Sequence, residues 1–143
     1  MTVVPNPNGD PFLTRWNDFY TRVDDVTATL GLVPVTGSER EVTLRMPLRQ
    51  EISQPAGMFS AASLYGLADI SGTFLAMAHV GDAGFPLAVQ SSINLVRNTA
   101  HGNATATSTL VSAGRTLIVT ETRVVDDNDR LLAAVVTTYV TPR

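Results

Sequence analysis

The stretch Ala56-Gly57-Met58-Phe59-Ser60-Ala61-Ala62-Ser63-Leu64-Tyr65-Gly66-Leu67-Ala68-Asp69-Ile70-Ser71-Gly72-Thr73-Phe74-Leu75-Ala76-Met77-Ala78-His79 decides how this chain folds. Apart from Asp69, every residue from Ala56 to Ala78 is apolar, small or hydroxylated. A helix apolar on all sides is either a membrane span or the centre of a globular core. A span needs about 20 apolar residues, with aromatic belts and Lys/Arg flanks. This run carries an ionisable group near its middle, many Gly, Ala and Ser, and no such flanks. It predicts a buried central helix.

On its N-terminal side, Gln54-Pro55-Ala56-Gly57 leads into the helix, whose first turn falls around Ser60-Ala61-Ala62. The first turn of a helix leaves backbone N–H groups unpaired, and aided by the helix dipole these can bind a developing oxyanion. An ordinary Pro/Gly turn before a helix reads the same way. Further upstream, residues 39–46 alternate polar and apolar side chains, the period of a half-buried strand placed between Gly37 and Leu48. Asp10 and Pro11 read as an N-cap and first helical position. Phe12, Trp16, Phe19, Tyr20, Val23, Val26 and Leu30 then recur every three or four residues until Gly31, predicting one amphipathic helix.

On the C-terminal side, Leu87–Val96, Asn103–Val111, Thr116–Val125 and Leu131–Val140 are rich in Val, Thr, Ile and Leu and bounded by turn residues. Short connections at Ala113-Gly114-Arg115 and Asp127-Asn128-Asp129 predict hairpins, so that consecutive strands pair in a four-strand antiparallel meander. The chain reads as one α+β domain over 1–143, with 1–31 as an N-terminal helical extension.

Of the 143 residues, 44% are hydrophobic and 16% charged. A typical domain carries about 25% charged residues, so the deficit points to surface covered by another copy. The net charge of −3 without a basic cluster argues against nucleic acid. There is no cysteine, and two histidines, His79 and His101, are too few for a His-based metal centre; no metal is implied. All ten basic residues are Arg, which excludes Schiff-base lysine chemistry. Residues 1–10 lack the charged start and apolar run of a signal peptide, giving a cytoplasmic expectation.

Asp69 is the residue to explain. A carboxylate in an apolar run is paired, hydrogen-bonded by neighbouring hydroxyls, or used as a general base or nucleophile. No phosphate loop, G-x-S-x-G elbow or Ser/His/Asp order accompanies it. His79 reads as a helix-end group and His101 as a solvated turn residue. Asp126, Asp127 and Asp129 form an acidic turn without the spacing of a calcium loop. Asn103-Ala104-Thr105 is a glycosylation triplet without a secretory context.

The element order and several motifs resemble the hotdog-fold acyl-CoA thioesterases of the PaaI-like, phenylacetate-pathway type. Members carry an Asn or Gln, a short turn with Gly, a His-Gly-Gly triplet opening the central helix, and an acid nine residues after that His. Gln54, Gly57, Ser60-Ala61-Ala62 and Asp69 fall at those places. Ile93-Asn94-Leu95-Val96-Arg97, Ala113-Gly114-Arg115 and Asp127 to Ala133 are similar to the family's strand after the helix, its Gly-Arg hairpin and its acidic turn. The resemblance spans roughly 33–141; its clearest departure is Ser60-Ala61-Ala62 in place of His-Gly-Gly.

The resemblance implies a curved antiparallel sheet of five to six strands wrapped around the central helix. It also implies a homo-oligomer, a dimer or a dimer of dimers up to a homotetramer, with the active site between subunits. Asp69 of one subunit would attack the thioester or activate water. Gln54 and the Ala61 N–H of the partner would hold the carbonyl, and Thr73, one turn past Asp69, would position water. Gly57, Met58, Phe59, Ser60, Ala62 and Tyr65 would bind the acyl-CoA substrate, with Arg97 and Arg115 toward the nucleotide phosphates. CoA would be part of the substrate, with no other cofactor. The alternatives are a hotdog protein that binds an acyl or aromatic ligand without hydrolysing it, which the lost His-Gly-Gly motivates, and a hydratase, which would need a His beside the acid.

Overall fold

The computed structural model describes residues 2–80 and 84–141. The N-terminal periodicity is realised as two helices rather than one, α1 (Pro11–Arg22) and α2 (Val26–Leu30). The Asp10 carboxylate accepts from Phe12 N at 2.9 Å and caps α1. The expected continuous helix breaks because Val23 is extended and Asp25 starts a new helix, its side chain accepting from Thr27 N. Gly31, at φ 69°, supplies the left-handed residue that ends α2.

Strand β1 (Val33–Gly37), absent from the sequence reading, forms a hairpin with β2 (Glu41–Pro47), the core of the strand expected over 37–48. A 3₁₀ turn at Gln50–Ile52 leads to the central helix α3 (Ala61–Met77), capped by Ser60, whose hydroxyl accepts from Ser63 N at 3.1 Å. Strands β3 (Leu87–Leu95), β4 (Asn103–Ala113), β5 (Leu117–Val125) and β6 (Leu131–Val140) follow. All six join one curved antiparallel sheet in the order β1-β2-β4-β5-β6-β3. The four-strand meander is therefore corrected to three strands, β4-β5-β6. Strand β3 pairs with β6 at the far edge, Ser91 opposite Thr137, and the segment 96–102 carries the chain across to β4.

The sheet wraps α3. Inward positions of β2 and β4 are Val42, Leu44 and Met46, and Ala104, Ala106 and Ser108, all 0% exposed. The small residues of β4 admit the helix backbone, and Ser108 donates to Ser71 at 2.9 Å, so the buried hydroxyls satisfy one another. On its other flank α3 is covered by α1: Trp16 packs at a tilt against Phe74 with ring centroids 5.1 Å apart, and Phe12 meets Phe74 edge-on at 5.7 Å. This N-terminal layer fixes the C-terminal half of α3 and leaves the flank facing β3 open. Strand β3 is the exception to the burial rule: every residue is exposed except the half-buried Ser91, including Leu87, Val89, Ile93 and Leu95. No described helix is long and apolar enough to cross a membrane.

Candidate active site

Tyr65, Asp69 and Thr73 recur at four-residue intervals and share one face of α3. This face points toward β3 and β6. Tyr65 Oη donates to Ser91 Oγ at 2.8 Å, and Ser91 Oγ shares a 2.9 Å bond with Thr137 Oγ1. Thr73 Oγ1 donates to Tyr139 Oη at 3.4 Å, and Tyr139 Oη donates to the Asp69 carbonyl at 3.3 Å. The Asp69 backbone is thus held from the sheet while its half-buried carboxylate takes no hydrogen bond from the described residues. Burial without compensation pushes its pKa up, making it a stronger base than an exposed Asp. The Tyr139 hydroxyl, buried beneath it, is pushed up to about 12 chiefly by desolvation and stays neutral.

At the start of α3, Ser60 caps Ser63, and Leu64 N bonds the Ser60 carbonyl at 3.1 Å. The N–H groups of the exposed residues Ala61 and Ala62 have no partner among the described residues. Ala61 opens onto a groove of about 210 Å³ shared with Leu95, Arg97 and Asn98. Asn98, which the sequence reading missed, donates from Nδ2 to the Phe59 carbonyl at 2.7 Å and ties this groove to the helix start. An Asn just after a strand gives no sequence signal for such a role.

The other candidates fall into three groups. Gln54 and Gly57 belong to one turn: Gly57 N bonds the Gln54 carbonyl at 2.9 Å, Gly57 has φ 81°, and Gln54 Oε1 accepts from Ala56 N. The Gln54 amide nitrogen carries no bond to the described residues. Met58 and Ser60 are half-buried, whereas the Phe59 ring is 0% exposed and belongs to the core. Arg97 lies at the Ala61 end of the sheet, while the exposed Arg115 sits in the β4–β5 turn at the opposite end. His79 Nε2 meets the Glu39 carbonyl at 2.6 Å, a helix-end contact. Asp126 turns inward to accept from Asn128 N and Arg130 N, each at 2.9 Å, which builds the β5–β6 turn.

Asp69 and Ala61 are eight residues apart on one helix, a rise of about 12 Å at 1.5 Å per residue. No single carbonyl can touch both within one chain.

A curved antiparallel sheet wrapped around a central helix defines a hotdog fold. The thioesterase superfamily matches residues 56–133, more than half of the chain, and the chain belongs to it. Among solved structures, the PaaI protein from the phenylacetic acid degradation operon of Escherichia coli is similar at TM-score 0.82 and 16% identity, over 92% of this chain and 94% of that one. A thioesterase of Haemophilus influenzae, HI1161, gives TM-score 0.80 and 18% identity over 87% of both chains. The thioesterase PA1618 of Pseudomonas aeruginosa, solved as a Gln-to-Ala variant, gives 0.81 and 19% over 100% of both. No curated protein matches the chain in sequence.

Proposed function

We propose that this chain is a cytoplasmic acyl-CoA thioesterase in which Asp69 acts as general base or nucleophile on a carbonyl held by the partner subunit's helix start. The carrying observation is the Asp69 carboxylate itself: half-buried, without a hydrogen bond from the described residues, and more basic than usual through desolvation. A structural Asp in such a place would be paired or capped.

In the base form of the mechanism, Asp69 takes a proton from water and the hydroxide adds to the acyl carbon. The oxyanion is held by the Ala61 N–H of the other subunit, with the Gln54 amide orienting the carbonyl. Collapse breaks the C–S bond, and the CoA thiolate leaves and takes up the proton. The raised pKa of Asp69 favours this form over attack by the carboxylate, since a base closer to the working pH transfers protons more efficiently. Thr73, one turn on, positions the water. Backbone N–H donors serve at Ala61 as they would at glycine, because a helical first turn suits Ala. The 12 Å between the two halves of the site requires a second copy, and the exposed apolar strand β3 supplies an edge for it to pair with.

Free-thiol release over short, long and aromatic acyl-CoAs tests the reading in native protein and Asp69→Asn. Turnover on at least one ester is expected, falling about 10²–10⁴-fold in the variant. Equal rates in both remove Asp69 from the mechanism. Binding of CoA esters without any turnover by the native protein would favour a non-catalytic hotdog binder, the reading that Ser60-Ala61-Ala62 motivates.

A further inference from the structure

Thr73 lies within α3, yet its hydroxyl bonds to the sheet and not to its own helix. A threonine inside a helix ordinarily donates its proton to the carbonyl four residues back. Thr21 of α1 shows that arrangement, its Oγ1 donating to the Asn17 carbonyl at 2.6 Å. For Thr73 the corresponding acceptor is the carbonyl of Asp69, and it is taken. Tyr139 of β6 reaches in from the sheet, donates to the Asp69 carbonyl at 3.3 Å and accepts the Thr73 proton at 3.4 Å. Tyr139 is 0% exposed, and Gly72 makes room for its hydroxyl, since a Cβ there would stand 2.6 Å from Oη.

These three groups allow one order of protons. A carbonyl oxygen accepts and cannot donate, so the phenolic proton of Tyr139 is committed to Asp69. Oη is then an acceptor, and the hydroxyl proton of Thr73 is committed to it. What remains on Thr73 Oγ1 is acceptor capacity alone. Thr120 Oγ1, which also borders Gly72, is buried and makes no bond of normal geometry that would compete. Burial pushes the Tyr139 pKa up to about 12, so the phenol keeps its proton and the order holds at neutral pH.

We propose that Tyr139 is a positioning residue for hydrolysis: it turns the Thr73 hydroxyl so that Oγ1 accepts one proton of the attacking water while the Asp69 carboxylate takes the other. This rests on the thioesterase reading. Asp69 and Thr73 share one face of α3 at i and i+4, where Cβ atoms lie about 5–6 Å apart, a gap that one water spans with two bonds of about 2.8 Å. With both protons directed at the helix, the lone pair of the water faces outward to the acyl carbon. As the C–O bond forms, one proton passes to Asp69 and the other stays hydrogen-bonded to Thr73 Oγ1. Without the phenol, the Asp69 carbonyl is free, and Thr73 takes the ordinary bond to it by rotating Oγ1 away from the water.

A double-mutant cycle in kcat tests this on the acyl-CoA that native protein turns over fastest, with Tyr139→Phe, Thr73→Val and the pair. Tyr139→Phe is expected to lower kcat about tenfold with KM within about twofold, since no substrate contact is lost. Thr73→Val should lose at least as much. The double variant should be no slower than Thr73→Val, because Tyr139 acts through a hydroxyl that is already gone. Thr73→Ser keeps the hydroxyl and should retain most of the native kcat together with the sensitivity to Tyr139→Phe.

Losses that multiply in the double variant, to about 10²-fold, would make the two residues independent and overturn the assignment. A native kcat in Tyr139→Phe, or a loss carried by KM, would do the same. Collapse of the thermal transition in Tyr139→Phe would make the phenol a structural group and refute it equally. Absence of turnover by native protein on every ester would sink the thioesterase reading and this role with it, whereas turnover with multiplying losses would sink this role alone.

Discussion

Gly72 is where the central helix approaches the sheet most closely, and replacing it with Ala tests whether that approach is real. A Cβ on Gly72 would stand 2.6 Å from Tyr139 Oη and 2.9 Å from Thr120 Oγ1, against the 3.4 Å at which ordinary contact begins, a shortfall of about 0.8 Å for the first. Both Tyr139 and Thr120 are 0% exposed, so neither can swing aside. Overpacking of this kind costs roughly 1–3 kcal/mol, while Gly to Ala in a helix interior returns about 1 kcal/mol. We expect Gly72→Ala to lose about 1 kcal/mol, or about 3 °C in Tm, in thermal unfolding at fixed protein concentration. Gly66→Ala is the control, because its Cβ comes close only to Cδ1 at the far end of the Leu30 side chain, at 2.8 Å, and it should lie nearer to neutral than Gly72→Ala. Tyr139→Phe removes the atom at 2.6 Å and leaves Cζ at an ordinary 3.6 Å. The double variant should therefore regain part of the lost stability, the 2.9 Å approach to Thr120 Oγ1 remaining, with a coupling of about 1 kcal/mol. If Gly72→Ala stabilises by the full helix-propensity gain, the helix does not sit on Tyr139 and the placement of Asp69 fails with it.

Asp69→Asn should melt above the native protein at neutral pH even as activity falls. A pKa raised on folding gives stability that is complete below the unfolded pKa and lost as pH rises through the folded one, so the native Tm should climb on acidification more steeply than the variant's. A variant less stable than native at neutral pH would contradict an uncompensated carboxylate. Asp126 has the opposite sign: bonds from the Arg130 and Asn128 N–H groups hold its pKa down, so its contribution vanishes as pH falls through the folded value. Urea unfolding of Asp126→Ala should show a flatter acid limb, and an unchanged limb would rule this contribution out. Ser60→Ala removes the cap of α3 and should cost about 1 kcal/mol in urea unfolding, restored by Ser60→Asp; no loss would place the cap elsewhere.

The parts of the fold legible in the sequence were those whose signals are local. Asp10-Pro11, Gly31 and Ser60 mark helix ends through their own side chains or backbone, and β2 and β5 alternate because one face of each is buried. Strand β1 escaped because five residues containing Pro34 and Gly37 carry no strand signal of their own; pairing with β2 makes them a strand, and a Pro is tolerated at a sheet edge. The α1–α2 break escaped because the apolar period runs on through Val23 and Val26 while Asp25 starts a second helix. The β3–β6 pairing is long-range, and the exposed apolar residues of β3 resemble any buried strand until the sheet order shows that one edge is bare. At the candidate site, the spacing of Tyr65, Asp69 and Thr73 on one helix face was readable. The sheet hydroxyl of Tyr139 beneath them was not, because it depends on how α3 lies against distant segments.

The bare edge and the proposed two-subunit site would be met by one arrangement. The residue midway between Ala61 and Asp69 is Tyr65, and its hydroxyl binds Ser91, the midpoint of β3. Helix α3 runs antiparallel to β3, since Ala61 shares a groove with Leu95 at the end of the strand. A two-fold axis through Ser91 would pair β3 with its own copy, antiparallel and centred. The same axis would reverse the partner's helix about the level of Tyr65, setting the Ala61 N–H of one subunit level with the Asp69 of the other. Displacing the axis by one strand residue in either direction would shift the pairing by two residues, about 7 Å, and offset the two halves. The register of the sheet edge and the distance across the thioester carbonyl would then be a single quantity. On the proposed two-subunit site, strand β3 would be apolar and open in one chain because its pairing would complete that site.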